Sequence, residues 1–104
     1  IYMSELQDRF IKPLTDELYD HVYHIFNIRH PERDQIQAYL QEQGIGTEIH
    51  YPIPPHKQKA LKSMNNLDFP ISSEIHATTL SLPCSFAHSE NDIRKVVQIL
   101  NAYY

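Results

Sequence analysis

The sequence is short of several things, and each shortage removes a class of function. Of its 104 residues only one, Cys84, is a cysteine, so no internal disulfide can form. A lone thiol suits a reducing compartment, and nothing in the chain reads as a secretory leader, which sets the expectation of a cytoplasmic protein. There are two glycines, Gly44 and Gly46, too few for a G-x-G-x-x-G turn or a P-loop. No block of lysine and arginine occurs and the formal net charge is -4, so a nucleic-acid footprint is not expected. No apolar run approaches the ~20 residues that a membrane span needs. Apolar residues at 41% and charged residues at 21% are the balance of an ordinary globular chain, and the length fits one domain, residues 1–104.

The two glycines and three of the seven prolines fall in one stretch, Gly44 to Lys57, reading GIGTEIHYPIPPHK. Thr47 to Tyr51 alternates like a strand, and Pro52, Pro54 and Pro55 stiffen the chain beyond it. His50, Tyr51 and His56 lie within seven positions of this rigid segment. Such a loop can hold polar rings ready for a ligand. It can equally be a helix cap, an edge strand and a connection.

Periodicity supplies the surrounding elements. Met3, Leu6 and Phe10 have helical spacing, so residues 1–11 read as the tail of an amphipathic helix, closed by Lys12-Pro13. The opening Ile1-Tyr2-Met3, with no initiator and already helical in pattern, is read as the start of a piece of a longer protein. His21 to Ile28, HVYHIFNI, reads as a strand, with His24 on the same face as Val22, Phe26 and Ile28 and therefore expected in the core. A helix begins at Pro31, with Ile36, Tyr39 and Leu40 as its stripe, Gly44 at C′ and Ile45 as the apolar contact. His56 to Met64 reads as a short basic helix, Pro70 to Thr78 as another, and Thr79 to Leu82 as a strand stopped by Pro83. Ser89 and Asp92 resemble a capping box ahead of a helix with Ile93, Val96, Val97 and Leu100 inside. The expected class is α+β: a small, mostly antiparallel sheet of about three strands with helices packed on it.

The chemistry that residue types alone support is limited. His21 and His24 are an odd offset apart on a strand, so their rings point to opposite faces, and no HExxH, CxxC or carboxylate cluster accompanies the seven histidines; no metal site is expected. Nothing around Pro83-Cys84-Ser85 marks a nucleophile, and a small buried cysteine is the expectation.

The runs HVYHIFNIR, GIGTEIHYPIPPHKQKA and LSLPCSFAHSENDIRKVVQIL, in that order and spacing, resemble the C-terminal small domain of the DegT/DnrJ/EryC1/StrS sugar aminotransferases. The resemblance covers nearly the whole chain. It implies the C-terminal domain of the aspartate-aminotransferase fold, in an enzyme that uses pyridoxal phosphate to move an amino group from glutamate to a keto carbon of a nucleotide-linked deoxysugar, for surface polysaccharide biosynthesis. The Schiff-base lysine and the phosphate contacts would lie in a larger domain absent here, so the resemblance implies no catalytic residue and no cofactor-binding residue in this chain. Family members are usually homodimers. Carried over position by position, His50 and Tyr51 match the family's HY pair and His56 the histidine after the prolines, which implies that all three face the sugar or its diphosphate. The HYPIPPH form is nearest to members acting on dTDP-linked 3-keto-6-deoxyhexoses, with a 4-keto sugar as the neighbouring case. A free-standing, non-catalytic binding or interaction module is the alternative.

Overall fold

The structure, a computed structural model, describes residues 1–103. Its centre is a four-residue strand, β2 (Thr79–Leu82), buried along its whole length. On one edge β2 pairs antiparallel with β1 (Phe26–Arg29), in the register Phe26 to Leu82 and Ile28 to Leu80. On the other edge Ser81 exchanges both backbone hydrogen bonds with Glu48, at 2.7 and 3.2 Å. Leu80, Leu82, Phe26 and Ile28 share the face that meets the helices.

Three helices cover that face: α1 (Tyr2–Glu5), α2 (Arg33–Glu42) and α4 (Glu90–Asn101). Ile36 and Leu40 of α2 and Leu100 of α4 are fully enclosed, with Val96 and Val97 close to it. Each such aliphatic side chain contributes about 1.5–3 kcal/mol gross on leaving water. A further helix, α3 (Pro70–Thr78), leads directly into β2. The class is therefore α+β with a small antiparallel sheet, as expected, but with two strands rather than about three.

The missing strand has a plain cause. Among the described residues the backbone of Thr47–Tyr51 pairs with β2 only at the Glu48–Ser81 bridge. Beyond it, Pro52, Pro54 and Pro55 have no N–H to add to a ladder. The strand expected over His21–Ile28 is likewise shortened, to Phe26–Arg29, because β2 offers four partners and Pro83 ends it. Upstream, Tyr23 takes a left-handed φ of 48° and its N–H turns back onto His21 Nδ1. His24 consequently leaves the face of Phe26 and Ile28 and is exposed, not in the core.

The first helix is one turn, not three. Leu6 is extended, yet Leu6 and Phe10 are both buried, because the chain folds back through a turn at Asp8-Arg9 and Ile11 bridges to Arg29. The end of α4 satisfies the backbone groups this releases: Asn101 accepts from the Gln7 N–H and donates to the Glu5 carbonyl. The His56–Met64 helix is instead two 3-10 turns, Pro55–Lys57 and Lys59–Met64, whose lysines are exposed. On α3, Ile71 and Ile75 face outward.

Several expectations hold in the structure. Pro70–Thr78 and Thr79–Leu82 have the expected bounds. Gly44 has φ 79°, with the Ile45 N–H on the Leu40 carbonyl (2.8 Å) and its own N–H on Gln41 (3.0 Å), the two bonds of a Schellman cap. The capping box on α4 is complete: the Asp92 N–H donates to Ser89 Oγ (3.1 Å) and the Ser89 N–H to the Asp92 carboxylate (2.8 Å).

Candidate functional site

The second face of the sheet is polar although β2's share of it, Thr79 and Ser81, is buried. Asn27, Thr79 and Ser81 lie there, and Asn27 Nδ2 donates to Thr79 Oγ1 at 3.1 Å. A polar group hidden from water needs a partner, so such a face is more informative than an exposed one. Over it runs the Gly46–His50 segment, delivered by the Gly44 turn and pinned by the Glu48–Ser81 bridge. The result is a cleft of about 220 Å³ bounded by His24, Thr47, Glu48, His50, Ser81 and Cys84.

His50 is the residue most firmly set in it. Its Nδ1 lies 2.8 Å from Ser81 Oγ, across 31 residues of sequence. The Tyr51 ring stands edge-on to the imidazole, with centroids 5.3 Å apart, and is 64% exposed. The Tyr51 carbonyl accepts from His76 Nδ1 of α3. A carbonyl can only accept, so His76 carries a proton on that nitrogen.

His56 occupies a different setting. It is 3% exposed, with Nε2 3.4 Å from Ser73 Oγ and its ring edge-on to Phe69 at 5.0 Å. Its carbonyl accepts from Asn65 Nδ2 at 2.8 Å. The structure thus places His50 in the cleft and Tyr51 on the surface beside it. His56 lies inside, between the proline loop and α3. Three histidines, His50, His56 and His76, tie the loop to the rest of the domain.

Ser81, Ser73, His76 and Asn65 carry no sequence signal that singles them out. Ser81 falls in Thr-Leu-Ser-Leu, where alternation reads the serine as solvent-facing. Only the chain crossing above it makes the position a buried one. The bonds of Ser73 and Asn65 to His56 and of His76 to Tyr51 each span nine residues or more, and no local pattern announces them.

Cys84 is half-buried and its Sγ donates to the Tyr23 carbonyl at 3.4 Å. Nearby, the Tyr2 hydroxyl donates to the Pro83 carbonyl at 2.8 Å; burial, with a smaller push from the Cys84 thiol, raises the phenol well above its ordinary pKa. Among the described residues no three His, Cys, Asp or Glu side chains come together as metal ligands would.

Pyridoxal phosphate requires a desolvated amine beside a phosphate cradle, and the five lysines can be held against that need. Lys57, Lys59, Lys62 and Lys95 are exposed. Lys12 Nζ is bound to the Leu6 carbonyl at 3.0 Å. The N-terminus of α4, a natural phosphate seat, is filled by Ser89 and the Asp92 carboxylate. None of these five amines is enclosed beside a free helix N-terminus or glycine turn among the described residues.

Residues 1–101 match the DegT/DnrJ/EryC1/StrS aminotransferase family. The chain is 44% identical over 103 residues to the dTDP-3-amino-3,6-dideoxy-alpha-D-galactopyranose transaminase of Aneurinibacillus thermoaerophilus, covering 98% of this chain and 28% of that protein. Among solved structures, a DegT DnrJ EryC1 StrS aminotransferase from Brucella abortus superposes with a TM-score of 0.86 at 29% identity, over 95% of this chain and 27% of the other. A Bacillus subtilis protein solved with the cofactor PMP bound gives 0.82 at 26% identity, over 95% of this chain and 25% of the other. The chain therefore spans about a quarter of the length of these relatives. The chain belongs to the DegT/DnrJ/EryC1/StrS aminotransferase family.

Proposed function

We propose that these residues are the substrate-covering C-terminal domain of a pyridoxal-phosphate aminotransferase acting on a dTDP-linked 3-keto-6-deoxyhexose, with glutamate as amino donor. The observation that carries this reading is the 44% identity, sustained over 98% of the chain, to a relative whose name describes a dTDP-3-amino-3,6-dideoxyhexose transaminase. The cleft is consistent with it. The His50 imidazole can donate to, or when protonated pair with, oxygens of a sugar or diphosphate. The Tyr51 ring offers an apolar face for a pyranose and a hydroxyl for hydrogen bonding. His56, enclosed between Phe69 and Ser73, serves that surface by holding the proline loop against α3.

In this reading the domain supplies binding and exclusion of water, while the remainder of the protein supplies the cofactor site and the amine chemistry. The complete protein works as a homodimer in the cytoplasm, as the family resemblance suggests. The test is a transamination assay on the full-length protein with glutamate and a panel of dTDP-keto sugars. Amination of a 3-keto-6-deoxyhexose is expected; activity confined to 4-keto sugars, or to acceptors without a nucleotide, would overturn the assignment.

A further inference from the structure

We infer that Ser81 acts as a positioning residue that holds His50 as the tautomer with its proton on Nε2, so that His50 offers the cleft an N–H donor and not a base. Ser81 is 6% exposed, and among the described residues its hydroxyl has one hydrogen-bond partner, His50 Nδ1 at 2.8 Å. The bond can be drawn in two directions. If Nδ1–H donated to Ser81 Oγ, the serine proton would have no protein acceptor among the described residues, on a side chain almost wholly removed from solvent. A donor that leaves water without gaining a partner is disfavoured, because its hydrogen bond to water is lost and not replaced. If the serine hydroxyl donates to Nδ1, both groups are satisfied, and Nε2 carries the remaining ring proton. No group of this chain takes that N–H among the described residues, and the cleft is where it is left.

The backbone holds Ser81 in place for this task. Both of its main-chain groups are engaged by Glu48, two residues before His50, so serine and imidazole are brought together by one bridge. The donor face selects for a ligand atom that can accept: a carbonyl, hydroxyl or phosphate oxygen. The kind of ligand rests on the proposed function; the tautomer does not.

Two experiments separate these. Long-range proton–nitrogen NMR of the 15N-histidine-labelled full-length protein at mildly alkaline pH, with His50 assigned by loss of its signals in His50→Asn, reads the tautomer directly. The expected spectrum has Nδ1 bare and Nε2 protonated; Ser81→Ala shifts it toward a mixture, and Ser81→Thr, which keeps the hydroxyl, restores it. A wild-type Nδ1–H spectrum, or a Ser81→Ala spectrum equal to wild type, overturns the inference. Should Ser81→Ala fail to fold, the wild-type and Ser81→Thr spectra still decide. In the full-length protein, Ser81→Ala is expected to weaken binding of dTDP-glucose roughly tenfold, with rescue in Ser81→Thr. If the tautomer is as stated and dTDP-glucose binds none of the proteins, the proposed ligand class falls and the role of Ser81 stands.

Discussion

Alanine substituted at Gly44 and at Gly46, two positions apart, should move stability in opposite directions. Gly44 sits at φ 79°, and a Cβ added there would meet nothing within 4 Å. Packing is thus removed from the problem, and only backbone strain remains, about 1–2 kcal/mol for a side chain in the left-handed region. Alanine also stiffens the unfolded chain, which returns about 0.4–1 kcal/mol. The net expectation for Gly44→Ala is a loss of about 1 kcal/mol. Gly46 has the same empty surroundings without the left-handed φ, so only the second effect applies and Gly46→Ala should gain about 0.4–1 kcal/mol. Urea denaturation of the three proteins measures this as midpoints displaced to either side of wild type at equal slope. The difference matters to the cleft, because the Gly44 turn aims the chain that carries Glu48 and His50 over Ser81. Coincident midpoints, or a Gly44→Ala protein more stable than Gly46→Ala, would refute the reading of Gly44 as an obligatory left-handed cap.

Ser89→Ala should cost about 1 kcal/mol by orphaning the Asp92 N–H, visible as a lower denaturation midpoint at unchanged slope. The same box gives an acid-side dependence. The Ser89 backbone N–H, then its hydroxyl, lower the pKa of Asp92 below its ordinary 3.8. The contribution of that carboxylate is therefore full above pH 3.8 and disappears as pH falls through the depressed value; an Asp92→Asn protein should converge with wild type at the acid end of a stability profile. Mixed with pyridoxal phosphate and reduced with borohydride, the 104-residue chain should give weak labelling spread over several lysines. A single stoichiometric adduct that survives dialysis would contradict the proposal that the cofactor's lysine lies outside these residues.

Legibility in the sequence was local. The Ser89–Asp92 box, the Gly44–Ile45 cap and the bounds of α3 and β2 arise from side chains acting on backbone groups within a few residues. The rest depended on which segments stood side by side. His21–Ile28 has strand composition throughout, but β2 is four residues long and cannot pair with all of it. Met3, Leu6 and Phe10 have helical spacing, yet the end of α4 offers Asn101 to the backbone at Glu5 and Gln7 and stops the helix after one turn. The candidate site divides the same way. The GIGTEIHYPIPPH stretch marked where rigid polar rings would be, and His50 lies in a cleft. That His56 turns inward to Phe69 and Ser73, and that Ser81 meets His50, depends on contacts between segments far apart in the chain.

The measurement closest to the central claim separates the two halves of the transamination in the full-length protein. Glutamate-driven formation of the aminated cofactor and its consumption by the dTDP-keto sugar are measured for wild type, His50→Ala and Tyr51→Phe. If this domain covers the sugar nucleotide, both substitutions should lower kcat/KM for the sugar half roughly tenfold or more and leave the glutamate half within about twofold of wild type. Equal losses in both halves, or unchanged kinetics with the sugar, would contradict it and return the histidine and the tyrosine to purely structural roles.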